Sequence, residues 1–95
     1  MIIEIQCLPF PPGTPENRYA HIEAAIAIIQ ASGLKYEVGA LGTTIEGEPD
    51  AAWAVARKAH EACLAAGAGG IVTVIKVEQA ATEPPTIDSL TAKFR

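Results

Sequence analysis

Apolar and polar positions alternate from Ile2 to Leu8, with Ile3, Ile5 and Cys7 on one side and Glu4 and Gln6 on the other. A two-residue period of this kind predicts a strand covered on one face. Pro9, Pro11, Pro12 and Pro15 follow, with Gly13 among them, and residues that cannot donate to a ladder predict a loop. The period then changes: Ile22, Ala25, Ile26 and Ile29 recur at three- and four-residue steps, which predicts an amphipathic helix of about four to five turns. Its start is expected at Thr14 as N-cap, with Pro15 at the first helical position and Glu16 in the first turn, where a negative charge suits the helix dipole. Gly33 is expected to close it in the left-handed conformation.

Lys35 to Ala40 alternates again, which places Tyr36 and Val38 inward and Lys35 and Glu37 outward. Gly39, Leu41 and Gly42 supply a turn into Thr43 to Glu46 and complete a hairpin. Pro49 and Asp50 open a second helix whose inner stripe is Ala52, Val55, Ala56, Ala59, Ala62 and Cys63. Side chains this small let the helix lie close to its neighbours. After Gly67, Gly69 and Gly70, a last strand, Ile71 to Glu78, is apolar on both faces, with Ile71, Thr73, Ile75 and Val77 on one and Val72 and Val74 on the other. Beyond Gln79 the segment AATEPPT is polar and proline-interrupted, and Ile87 to Arg95 has room only for a short helix or strand.

The order strand, helix, strand, strand, helix, strand is the split βαβ pattern. It predicts an α+β fold: a ferredoxin-like βαββαβ sandwich, with a four-stranded antiparallel sheet and both helices on one face. Residues 1–78 form this domain, and 79–95 are a C-terminal extension that either swings free or docks on a partner subunit. In this topology the last strand lies at a sheet edge, yet it is the most apolar of the four. An apolar edge is an aggregation hazard, so a second copy of the chain is expected to cover it, and the protein is expected to be a homo-oligomer.

Ninety-five residues make one domain with one core. Hydrophobic residues are 49% of the chain, but much of that is Ala, and the aromatics are one Trp, two Tyr and two Phe. The expected core is therefore thin and closely spaced. A net charge of -4 without a Lys/Arg cluster argues against a phosphate backbone as partner. The acidic balance suits a cationic or amine-bearing small molecule, although acidity also serves solubility alone. Cys7 and Cys63 stand in no CxxC and have no His at ligand spacing, so they read as two buried free thiols of a reducing compartment rather than metal ligands. With neither a basic leader nor an apolar run of about 18 residues, the expected setting is cytoplasmic, without membrane contact.

The segment Gly33 to Glu48, GLKYEVGALGTTIEGE, resembles the form sGlkY...TxxEGe shared by small thiamine-binding proteins of the YkoF-like type. Thr43, Glu46 and Gly47 are its distinctive matches. The likeness runs over residues 1–78, through the Ile-rich first strand ending in Pro9, the helix AWAVARKAHEA and the strand VTVIKV. The resemblance implies a ferredoxin-like domain that pairs or forms tetramers and binds thiamine or its hydroxymethyl-pyrimidine part without catalysis or a cofactor. It gives Thr43 and Glu46 a place at or beside the pyrimidine pocket, and Gly47 a close turn before the second helix. There are two departures. Many relatives follow the last strand's acid with an Arg, whereas Glu78 is followed here by Gln79 and Ala80. The loop PFPPGTPEN also replaces a shorter Gly-containing one, so the pocket rim differs.

Alternation gathers Glu4, Gln6, Glu37, Thr44, Glu46, Lys76 and Glu78 on the uncovered face, where adjacent first and third strands are expected to bring Gln6 beside Glu46. Carboxylate, amide and hydroxyl together can read an aminopyrimidine. The expected ligand set is thus Glu46 on the pyrimidine, Thr43 or Thr44 and Gln6 as further hydrogen-bonding groups, and Glu37 offsetting a thiazolium charge. The alternative is a solvated face, or subunit ion pairs through Lys35 and Lys76. Trp53, Arg57, His60 and Leu64 make a second helical stripe that suggests an interface. His21 and His60 read as surface or interface residues, since neither accompanies a nucleophile motif. The glycines at 67, 69 and 70 follow a helix rather than precede one and make no phosphate loop. A cofactor-free monooxygenase or isomerase using the open face, or a purely structural module, are the other readings.

Overall fold

Strand β1 (Ile2–Phe10) runs two residues further than the prolines predict, carrying Pro9 inside it opposite Ile71. The computed structural model describes Met1–Arg95 and continues with α1 (Ala20–Ala31), β2 (Lys35–Val38), β3 (Thr43–Glu46), α2 (Pro49–Ala65), β4 (Gly70–Glu78) and a short α3 (Ile87–Thr91) that passes into a 3-10 turn (Ala92–Phe94). The sheet order is β2-β3-β1-β4, every neighbour antiparallel. This is the ferredoxin-like α+β arrangement. Pro9 is tolerated because β3 pairs with β1 only from Ile2 to Ile5, so one edge of β1 is already free where the donor is missing.

Helix α1 starts six residues later than its expected cap. Thr14 Oγ1 accepts the Asn17 N–H at 3.1 Å, and the Thr14 N–H donates to the Asn17 carbonyl at 2.8 Å. The Thr14 hydroxyl is thus spent on a self-contained turn rather than on a helix end. Tyr19 takes the N-cap position without a side-chain cap bond. The other end follows the sequence: Gly33 has φ +80°, the left-handed conformation that lets the chain turn directly into β2.

Odd positions of β1 meet the helices. Ile3 pairs with Ile45 across the sheet, and both are fully buried with Ile29 and Cys63. Removing one such side chain from water is worth about 1.5–3 kcal/mol. Ala52, Ala56 and Ala59 are buried to 1% exposure or less, so α2 packs through backbone-sized contacts as its Ala stripe predicts. His21 departs from expectation. It is 3% exposed, and its Nδ1 lies 2.7 Å from the Pro11 carbonyl oxygen, so the imidazole belongs to the interior and holds the proline loop against α1. Tyr36 and Val38 also depart, since every residue of β2 is exposed. The reason is position: β2 is an edge strand, while the buried residues of α1 and α2 converge on β1 and β3.

The C-terminal tail packs on its own sheet. Ile87 is 4% exposed, and Thr86 caps α3 through a reciprocal pair of bonds with Ser89. Lys35 pairs with Asp88, and Arg95 reaches Glu37 at 2.5 Å and Asp88 at 3.0 Å. Ile2, on the sheet face away from α1 and α2, is 7% exposed.

Candidate functional site

Antiparallel pairing places the motif TTIE with its first residue at one end of the sheet and its last at the other. Glu46 stands opposite Ile2 and Lys35, Thr44 opposite Glu4 and Glu37, and Thr43 opposite Ile5 and Val38. Gln6 therefore lies just past Thr43 and four residues along β1 from Ile2, roughly 13 Å from the row of Glu46 at strand rise. The expected pairing of Gln6 with Glu46 is thus not made. Thr43 and Thr44 separate by face. Thr43 is 5% exposed and points among the helices, while Thr44 is half-buried on the opposite face.

Beside the start of β3 a cleft of about 430 Å³ opens between α1, the outer half of β1 and the β2–β3 loop. The Gly39 N–H donates to the Gly42 carbonyl at 2.8 Å and closes the loop. Gly42 lies so near β1 that a Cβ there would come within 3.1 Å of the Ile5 carbonyl oxygen. Ile5, Ile22, Ile26 and Ile29 form the apolar walls, with Gln6 and Thr43 as polar groups at the strand end and Tyr19 and Glu23 on the α1 side. A mostly apolar concavity with a few convergent polar groups is the usual form of a small-molecule site. Of the expected ligand residues, Thr43 and Gln6 line this cleft, and Thr44, Glu46 and Glu37 do not. Tyr19, Glu23 and Ile26 fall at i, i+4 and i+7 on one flank of α1, and that spacing is the signal by which the sequence could have shown the helical wall.

Glu46 and Glu37 meet the tail instead. The Glu46 Oε1 accepts the Ile87 N–H at 2.6 Å, satisfying a donor in the first turn of α3. Hydrogen bonds from Lys35 and Arg95 hold the Asp88 carboxyl below its ordinary range, and Asp88 with Glu37 raises the Arg95 guanidinium. On the same sheet face, farther along, Glu4, Gln6, Leu41, Val74 and Lys76 border a shallower polar hollow. The Lys76–Glu4 ion pair there, at 3.5 Å and well exposed, contributes about 0–1 kcal/mol.

Behind the cleft lie two thiols. Cys7 lines it, Cys63 is fully buried behind it, and burial pushes both thiols up, Cys63 to about 12 with the neighbouring Cys7 adding to the effect. Both cysteines are free, and burial favours the neutral form of each thiol. His60 Nδ1 lies 2.5 Å from Thr73 Oγ1. Neither histidine lines the cleft. No helix is long and apolar enough to cross a membrane.

The family model described as thiamine-binding protein matches residues 3–95. The chain belongs to the thiamine-binding protein family. The match extends past the last strand to Arg95, so the tail lies inside the family's span. A UPF0045 protein of Clostridium perfringens is 31% identical over 85 residues, 88% of each chain. Among solved structures, a domain of unknown function, DUF77, from Bacillus cereus superposes with a TM-score of 0.89 at 35% identity, over 99% of this chain and 88% of its own. A provisional thiamine biosynthesis/salvage protein from Thermotoga maritima superposes with a TM-score of 0.83 at 26% identity, over 99% and 97%. Thr43, from the motif TTIEGE, lines the cleft beside α1. Gly47 of that motif forms a close crossing: a Cβ would stand 3.1 Å from the Leu34 methyls, and its N–H donates to the Met1 carbonyl at 3.0 Å.

Proposed function

We propose that this protein is a non-enzymatic, homo-oligomeric binder of thiamine or its hydroxymethyl-pyrimidine part, acting in cofactor supply, storage or sensing. The observation that carries the reading is the placement of Thr43 with Gln6 at the polar end of an apolar cleft of about 430 Å³, within the range of small-molecule sites. An aminopyrimidine ring offers donors and acceptors at its edge and an apolar face. The Thr43 hydroxyl can donate or accept, the Gln6 amide can do both at once, and the isoleucine walls take the ring face. In this reading Glu46, Glu37 and Thr44 act from the opposite sheet face, the two acids by holding the tail.

Assembly is supported by the exposed apolar positions of β4. Val72 and Val74 on the face away from the helices, and Ile75 and Val77 toward the helix side, are 38–57% exposed along a free sheet edge. Leu8, opposite Val72, extends the patch. A second copy meeting this edge would remove the unpaired apolar strand from water. The family membership favours binding over catalysis.

Titration calorimetry of the whole chain with thiamine and with 4-amino-5-hydroxymethyl-2-methylpyrimidine tests the reading. Saturable heat with either, lost in Thr43→Val, supports it; no heat and no thermal shift with both at millimolar concentration overturns it.

A further inference from the structure

Of the fifteen residues lining the cleft, Glu23 alone carries a charge at neutral pH. It has no ion-pair partner: the protein's salt bridges involve Lys35, Arg57, Lys76 and Arg95, none of them with Glu23. The carboxylate is nevertheless held in place. Asn17 Nδ2 donates to Glu23 Oε1 at 2.8 Å, and Asn17 Oδ1 accepts the Tyr19 N–H at 3.3 Å, so one side chain fixes both polar members of the helical wall. Only one carboxylate oxygen is used. The first turn of α1, where Glu23 sits, favours a negative charge through the helix dipole.

We infer that Glu23, with the Tyr19 ring beside it, selects the charge of the ligand: the cleft takes an elongated molecule whose aminopyrimidine end lies at Thr43 and Gln6 and whose cationic end lies at Glu23. This rests on the binding function proposed above and adds the direction in which the ligand lies and the forms it excludes. Tyr19 is 53% exposed, and the Arg18 guanidinium stands 5.9 Å from its ring centre, so the ring already associates with a cation through its face. A phosphate ester of the same molecule meets the opposite conditions. No Lys or Arg lines the cleft. Two donors at the start of α1 are also taken, since Ala20 N–H bonds the Asn17 carbonyl and His21 N–H the Pro12 carbonyl. An anion there would face the Glu23 carboxylate with no Lys or Arg in the lining to offset it, Arg18 standing outside the lining against the Tyr19 ring.

The test is calorimetry on the full chain with three probes: thiamine, thiamine monophosphate and the neutral hydroxymethyl aminopyrimidine. Wild type is expected to prefer thiamine to its monophosphate. Glu23→Gln keeps the acceptor for Asn17 and removes only the charge. It is expected to weaken thiamine about fivefold, the weight of a partly solvated ion pair, while the neutral pyrimidine changes by less than about twofold. Glu23→Lys is expected to reverse the preference toward the monophosphate. If the pyrimidine binds and both variants leave the thiamine-to-pyrimidine and thiamine-to-monophosphate ratios unchanged, the charge selection is wrong and the binding function stands. If wild type takes up neither thiamine nor pyrimidine, the binding function fails and the selection with it.

Discussion

The Glu46 carboxylate accepts the backbone N–H of Ile87 at 2.6 Å and so ties β3 to α3 across 41 residues. A charged acceptor on a helix N-terminal donor is a strong tether relative to neutral hydrogen bonds. Glu46→Ala is expected to cost about 1–2 kcal/mol and to free the tail. Limited proteolysis should then cut within residues 79–86 faster than in wild type, with the core of 1–78 intact. Glu46→Gln keeps an acceptor and should protect the tail nearly as well. If thiamine binds, its affinity should change little in either variant; a loss on Glu46→Gln with the tail still protected would move the ligand to the other face of the sheet.

The tail should also loosen in acid. The Asp88 carboxyl is held below its ordinary range by Lys35 and Arg95, so it binds protons less readily when docked than when the tail is free. Its contribution is therefore present above the ordinary carboxylate range and is lost as pH falls through the lower, docked value. Amide exchange of Ile87 to Thr91, measured against that of Ile45, should accelerate selectively below about pH 4. Because Lys35, Asp88 and Arg95 are all exposed, high salt at neutral pH should weaken the same contact. Asp88→Asn should remove most of the pH dependence.

Most of the fold was legible because period and punctuation agreed. Ile3, Ile5 and Ile45 alternate into the core, the Ala stripe of α2 is buried as spaced, and Gly33 ends α1 where a left-handed residue is required. Where the reading failed, a local bond or a remote contact decided. Thr14 has the chemistry of a cap but closes a turn on Asn17. His21 looks like a surface residue until the loop brings the Pro11 carbonyl to it. The lining of the candidate cleft was only partly legible, for a similar reason. Alternation places Thr43 toward the helices and Gln6 on the other face but carries no register, and it is the register that separates Gln6 from Glu46 and sets it just past Thr43 at the cleft. The acids of the sheet lacked partners along the sequence because those partners, Ile87 and Arg95, come from the tail.

Charge on the β4 edge should oppose assembly. Val74 is 44% exposed opposite Gln6, and Val72 is 57% exposed opposite Leu8. Val72→Lys with Val74→Lys alters side chains that are exposed in the single chain, so its melting temperature at low concentration should fall by only a few degrees, consistent with surface changes of about 0.5 kcal/mol each. Sedimentation should show wild type as a dimer or larger and the double variant as a monomer. Wild type sedimenting as a monomer at tens of micromolar would remove the assembly part of the proposed function.

The two thiols supply a test of the interior. Cys63 is fully buried on α2 and its thiol is pushed up to about 12 by burial and by Cys7. A raised value means that the neutral form is favoured in the folded state. Stability is then fully present below the unfolded thiol value and declines as pH rises from about 9 toward 12. At pH 8 an aromatic disulfide reagent, which reacts with thiolates, should modify Cys63 only at the rate of opening. Cys7 lines the cleft and is partly exposed, so it should react first, and a ligand filling the cleft should slow it. Cys63→Ala leaves a gap in the core and should cost about 1–2 kcal/mol. Cys63→Ser costs more because it buries a hydroxyl beside apolar neighbours. Equal reactivity of the two cysteines at pH 8 in native protein would contradict this placement of the α2 stripe against β1.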